Sequence, residues 1–238
     1  MNQQDQLTTV GSLPNGTPST GPLPATLTRL VWLLWVAALG VLGARLATGG
    51  SWSLAGVIAV DGLTVVMWVA VTFFSGIVHS YSRRYLAAHD RADRFFATVF
   101  GFTLVVMVLV AADHIALFTL AWVAMGLVMA ELIGHVKGWP QARAAGSLAR
   151  RYFLASGGLL VVALAVLWSA TGATTVSGIT AAADTVPRTM WLLAAGALLL
   201  AAMIQSALVP FHTWLLASMT APTPASALMH AGFVNAGG

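Results

Sequence analysis

Apolar residues gather in six long runs parted by short polar stretches: Leu30–Ala47, Asp61–Val78, Phe95–Ala112, Ile115–Ile133, Tyr152–Ala170 and Met190–Val209. Each approaches the ~20 residues that an α-helix needs to cross a ~30 Å hydrocarbon core. A seventh run opens at Ala225 and would cover only about 21 Å by Gly238, so the chain is expected to be the first part of a longer protein. The pattern predicts an all-α, polytopic transmembrane helix bundle over residues 27–238. Residues 1–26, rich in Ser, Thr, Pro and Gly and without Lys or Arg, read as a disordered cytoplasmic tail. No internal repeat is visible.

Charge sets the orientation. With the amino terminus in the cytoplasm, Arg29, Arg83, Arg84, Arg91, Arg94, Lys137, Arg143, Arg150 and Arg151 fall inside, against Arg45 and Arg188 outside, as cytoplasmic loops prefer. Tyr81, Tyr85 and Tyr152 then lie at the inner interface, and Trp52, Trp168 and Trp191 at the outer one. The expected location is a bacterial inner membrane.

Composition narrows the function. The chain is 58% hydrophobic and 8% charged, with mean hydropathy +0.86, values that suit lipid rather than water as solvent. Absence of cysteine excludes disulfides, thiolate zinc sites and cysteine-held iron–sulfur clusters. The +4 charge sits in loops as a topology signal, so nucleic-acid binding is not expected. No cofactor or metal is expected in this chain.

Few ionisable groups lie within the runs, and each costs ~2.5–3.5 kcal/mol at the bilayer centre unless it has a partner, water or a task. Apart from Asp61 at the edge of its run, Glu131 is the one acid inside a run, and His135 follows one turn on along the same face, where the two could share a proton or Glu131 could pair with a basic loop. His230 lies two turns into the last helix, with Thr223 read as its N-cap and Pro224 as its first position. Its imidazole can take and return a proton near neutral pH. Asn235 extends that polar seam. Gln205 and Ser206 precede Pro210, and Pro210, Pro222 and Pro224 mark broken helix where carbonyls are freed. His79 closes the inner end of the second run. Asp61 reads as a helix cap, and Asp113 and His114 as solvated residues of an outer turn.

His79-Ser80-Tyr81-Ser82, Arg94-Phe95-Phe96, Ala112-Asp113-His114 and Val209-Pro210-Phe211-His212-Thr213-Trp214-Leu215 resemble segments of the antiporter-like subunits of respiratory complex I and of Mrp-type cation/proton antiporters. The most recognisable stretch is Ala221-Pro222-Thr223-Pro224-Ala225-Ser226-Ala227-Leu228-Met229-His230-Ala231. The resemblance runs from about Asp61 to the end. The ending, and the apparent absence of one early helix, look most similar to the DabB branch, the membrane subunits of energy-coupled inorganic carbon pumps. It implies an antiporter-like fold with discontinuous helices, a second inverted helix set beyond Gly238, movement of H⁺ or Na⁺, and a DabA-like soluble zinc subunit as the partner in which catalysis resides. Two departures stand out. The family's glutamate after the Trp of this region is absent at Trp122-Val123, and its lysine five residues before the proline is replaced by Gln205. The ion path carried over is therefore His230 and His79, with Glu131 as a substitute acid and Gln205, Ser206, His135 and Asn235 along it. The alternatives are a proton-pumping subunit of a quinone-linked or Mrp-type complex, and a non-conducting membrane anchor.

Overall fold

The computed structural model describes residues 21–87 and 91–233. Its first helix, α1 (Pro22–Thr48), begins with proline at a position whose N–H needs no partner and stops where Gly49 turns left-handed at φ 69°, a conformation glycine adopts without a Cβ clash. The helix thus starts five residues before the expected membrane domain, and residues 22–26 belong to it rather than to a tail; residues 1–20 lie outside the described residues.

Four more long helices follow: α2 (Gly62–Tyr85), α3 (Ala92–Ala111), α4 (Ile115–Ile133) and α5 (Pro140–Thr171). The short α6 (Val176–Ala181) leads to α7 (Arg188–Gln205), α8 (Thr213–Ala217) and α9 (Thr223–Leu228), the last continuing into a wider π turn over Met229–Phe233. Six of these helices, α1 to α5 and α7, are long and apolar enough to cross a membrane, and they coincide with the six apolar runs. The 32-residue α5 starts a dozen residues before its run, because the basic segment around Arg143 is helical too and needs no lipid.

Packing is serial. Helix α1 lies on α2, α2 on α3, α3 on α4, α4 on α5 and α5 on α7, while α9 returns to pack on α2 and α4. Glycines bring the central pair close: a Cβ on Gly157 would sit 2.7 Å from Val123, and one on Gly126 would sit 2.7 Å from Phe153. Small residues let helices approach where lipid offers no hydrophobic driving force for association.

One end of the bundle carries a polar cap absent from the helical expectation. A hairpin of β1 (Trp52–Leu54) and β2 (Ile58–Val60) accepts the Asp113 and His114 N–H groups on the Val57 carbonyl at 3.0 and 3.2 Å. Asp113 is buried, and its carboxylate accepts the Ser177 N–H at 2.8 Å and hydroxyl at 2.7 Å. The expectation that solvent accounts for Asp113 is corrected: it ties the α3–α4 turn to α6. His114 accepts the Ala116 N–H. Asp61 caps α2 as expected, accepting the Thr64 N–H at 2.8 Å, and that bond holds its carboxyl below the usual range.

The opposite end carries nine of the 11 Lys and Arg residues, at the start of α1 and α5, the end of α2, the start of α3 and the turn after α4.

Candidate functional site

The polar residues of the bundle interior form three separate groups. The largest surrounds the end of α7. Ser206 and Ala207 leave the helix, and Ala207 adopts a left-handed φ of 52°, costly for a residue with a Cβ. The peptide Val209–Pro210 is cis, and helix resumes only at α8. The break falls at Gln205, five residues before the expected Pro210. Pro210 lies in the connecting loop, Pro222 occupies the N-cap position of α9, and Pro224 sits inside its first turn. Thr223 is correspondingly the first helical residue and makes no cap; its hydroxyl donates to the Tyr85 hydroxyl at 3.3 Å. Proline at 222 already fixes the extended backbone a cap position needs.

Around this break Gln205 is fully buried. Both atoms of its amide, the Ser206 hydroxyl and His212 Nδ1 are buried without a hydrogen-bond partner in the protein. The site is nevertheless rigidly walled. Trp214, also fully buried, donates its indole N–H at 3.0 Å to the Ile204 carbonyl, which also accepts the Ala207 N–H at 3.2 Å. Its ring meets Phe153 at 4.7 Å and Phe233 at 5.9 Å. The Tyr152 hydroxyl bonds the Thr213 hydroxyl at 2.7 Å, fixing α8 to α5.

A thread of hydrogen bonds reaches the same place across three helices. The Trp122 indole of α4 donates to the Ser156 hydroxyl of α5 at 3.2 Å. Ser156 in turn donates to the Ala201 carbonyl of α7 at 3.0 Å, one turn before Gln205. Val123, where the resembled family has an acid, packs instead against Gly157.

The second group joins α2 to α3. Thr103 donates to the Val99 carbonyl, which leaves the Ser75 hydroxyl to donate to Thr103 at 2.6 Å. His79 Nδ1 lies 2.8 Å from the Ser75 carbonyl, so that nitrogen carries the proton of a neutral ring and Nε2 presents its lone pair. Nε2 is buried without a partner, between the rings of Phe96 at 5.6 Å and Phe100 at 6.5 Å.

The third group lies at the basic end. Arg94 and Lys137 approach the same Glu131 oxygen at 2.8 and 2.9 Å, and Lys137 reaches the other at 3.1 Å. Of the two roles weighed for Glu131, the structure supports the pairing with basic residues; it does not bring Glu131 to Gln205. His135 is buried edge-on against Phe95 at 5.3 Å rather than hydrogen-bonded to Glu131. Burial holds its imidazole below the ordinary range, with Glu131 drawing it up and Arg94, Arg91 and Lys137 pushing it down.

His230 lies in the π turn with its side chain exposed, while Phe233 of the same turn is buried. Asn235 lies outside the described residues. Ser75, Thr103 and Ser156 escaped the sequence reading because small hydroxyl residues with no helix break or charge beside them draw no notice in an apolar run. Their signal is that their partners stand on neighbouring helices.

A bundle of helices long and apolar enough to cross a membrane, interrupted at buried polar groups, is the architecture of a multi-pass membrane protein. The chain belongs to the NADH:quinone oxidoreductase/Mrp antiporter transmembrane family, whose model matches residues 112–238; the model for the NADH-ubiquinone oxidoreductase (complex I) chain 5 N-terminus matches residues 47–96. Among its relatives, "Probable inorganic carbon transporter subunit DabB1" of Halothiobacillus neapolitanus is 39% identical over 77% of this chain and 34% of its own length. The DabB of Bacillus subtilis, named in the same terms, is 36% identical over 88% and 40%. NADH-ubiquinone oxidoreductase chain 5 of Cryptococcus neoformans is 33% identical over 72% and 26%. The aligned part of each of these relatives is thus 26 to 40% of its length. A chain of the Mrp complex from Dietzia sp. superposes with TM-score 0.72 at 27% identity, over 91% of this chain and 24% of that one. A chain of the archaeal membrane-bound sulfane sulfur reductase shares the fold, with TM-score 0.83 at 14% identity over 92% and 47%.

Proposed function

We propose that this chain is the ion-translocating part of the membrane subunit of an inorganic carbon uptake complex, in which H⁺ or Na⁺ moving inward drives a DabA-like zinc partner that hydrates CO₂. The relatives named as inorganic carbon transporter subunits, 36 to 39% identical over most of this chain, support the carbon assignment. The observation that carries the translocating role is the buried, unpartnered Gln205–Ser206–His212 group at the end of α7. An unsatisfied buried polar group costs about 1–3 kcal/mol. Four such atoms together would cost a sum comparable to a whole domain's stability of ~5–15 kcal/mol, so they are held by water or by a passing ion.

In this reading the break admits water to mid-bundle, and Gln205, which cannot titrate, offers an amide oxygen to a cation or a hydrated proton. His79 serves as a second station, since its Nε2 can accept a proton that its Nδ1 bond then stabilises by staying in place. His230 stands on the π turn beside α9 as a third. Glu131, bridged to Arg94 and Lys137, anchors α3 to α4 and does not relay. The amino terminus lies in the cytoplasm of a bacterial inner membrane, where the nine basic residues belong. One elementary charge crossing 100 mV releases ~2.3 kcal/mol, more than a tenfold bias on a coupled hydration equilibrium.

The test is growth in air of a bacterial strain lacking carbonic anhydrase, carrying the full-length gene with a DabA-type gene. Rescue that a protonophore or sodium depletion abolishes is the expected result. Rescue indifferent to both gradients would contradict ion coupling, and failure with a demonstrably assembled pair would contradict the carbon role.

A further inference from the structure

The basic end of α1 and α2 contains a cleft that none of the preceding chemistry uses. Two adjoining recesses there share Trp32, Ser80 and Arg83. Arg84 lines one and Arg29 the other, so guanidinium groups from two helices converge on one opening. The recesses measure about 620 and 570 Å³, far beyond the ~30 Å³ share of one water. Below the cations the walls turn apolar, through Leu33, Val36 and Ile77, which are 63%, 58% and 45% exposed.

Three features separate this cleft from an ordinary solvated basic edge. Arg94 and Lys137, at the same end, have Glu131; among the described residues no carboxylate lies within salt-bridge distance of Arg29, Arg83 or Arg84. Trp32 is locked: its indole N–H donates to the Ser80 hydroxyl at 3.1 Å, and its ring lies so close over Gly76 that a Cβ there would sit 2.9 Å away. The indole face is thereby held as a fixed apolar floor at the level where polar and apolar walls meet, the depth of a membrane interface. Finally, charge changes to apolar wall within one cleft, which matches a molecule with an anionic head and a hydrocarbon body.

We propose that this cleft binds an anionic phospholipid, its phosphate held by Arg29, Arg83 and Arg84 and its glycerol and upper acyl chain lying on Trp32, Leu33, Val36 and Ile77. Guanidinium forks match phosphate oxygens in pairs, and the desolvating interface strengthens the attraction. The lipid clamps α1 to α2 at the end where α1 already meets the bundle through Leu27, Thr28 and Val31, while the rest of the helix has little protein cover; 11% of its most apolar window is buried.

Native mass spectrometry of the full-length protein tests this, with titration by phosphatidylglycerol, by phosphatidylcholine of the same chains, or by inorganic phosphate. The wild type should retain phosphatidylglycerol about tenfold better than phosphatidylcholine, the R29Q/R83Q/R84Q variant should lose that preference, and R143Q/R150Q/R151Q should keep it. Equal retention by the first triple variant would overturn the proposal, as would displacement of the lipid by phosphate at like concentration, which would assign a free-anion site. If removing three charges misfolds the chain, a second readout keeps native charge. Brominated phosphatidylglycerol should quench wild-type tryptophan fluorescence more than brominated phosphatidylcholine, and Trp32→Phe should remove the excess. An unchanged excess in that variant, or a photocrosslinker at position 77 capturing polypeptide instead of lipid, would also overturn it.

Discussion

Asp61 shows how much one side chain does at a helix start in this molecule. Its carboxylate takes the Thr64 N–H and the Thr64 hydroxyl, so Asp61→Ala should lower stability by about 1 kcal/mol, read as an earlier thermal transition in detergent, with activity kept. Glu131→Gln should also cost about 1 kcal/mol, since each partly exposed pair is worth little, and should leave ion-driven uptake intact. Loss of uptake with unchanged stability would restore Glu131 to the ion path. His135 sets a pH dependence. Its folded value is depressed by burial, so the unfolded chain takes up a proton first as pH falls. Stability should be level above about pH 6.5 and decline below it, through the lower folded value. His135→Phe should flatten that decline. These residues were unevenly legible in the sequence: Asp-Gly before an apolar run announces a cap, whereas Glu131 as lone embedded acid invited a functional reading without showing its partner Arg94, 37 residues away.

At the scale of elements, α4 and α5 depend on small residues more than on apolar surface. Gly157→Ala should destabilise by about 1–3 kcal/mol because the new methyl meets Val123. Val123→Ala in the same chain should recover part of that loss, a coupling that a double-mutant cycle measures in thermal unfolding. Additive losses would show that the two do not share the space. Gly146→Ala has no such remedy, since its methyl would meet the backbone at Gly134. Hydropathy located the six spans because length and apolarity are properties of single segments. Their ends were less legible. Helix α5 runs on through a basic stretch that costs nothing in water, and α7 stops at Gln205 although Leu208 and Val209 continue the apolar run. At that stop the Ile204 carbonyl takes the Trp214 indole N–H of α8 beside the Ala207 N–H, a contact between segments that no periodicity encodes. The hairpin and α6 went unseen for the same reason.

For the whole molecule, the family resemblance from about Asp61 to the end anticipated the fold, and the serial bundle follows it. What it left open was whether a chain without the usual acid and lysine retains a polar route. The answer proposed is a break walled by Phe153, Trp214 and Phe233 and wetted around Gln205. Because the natural chain has no cysteine, single-cysteine variants report each position alone. The most direct measurement is the rate at which a hydrophilic thiol reagent modifies Gln205→Cys in membranes, compared with Leu199→Cys on the same apolar helix, whose native side chain is 62% exposed. Such reagents attack thiolate, which water must support. A wetted break predicts faster modification at 205 than at 199, although Gln205 is the buried one. Modification at 205 no faster than at 199 would contradict the account and leave a dry bundle.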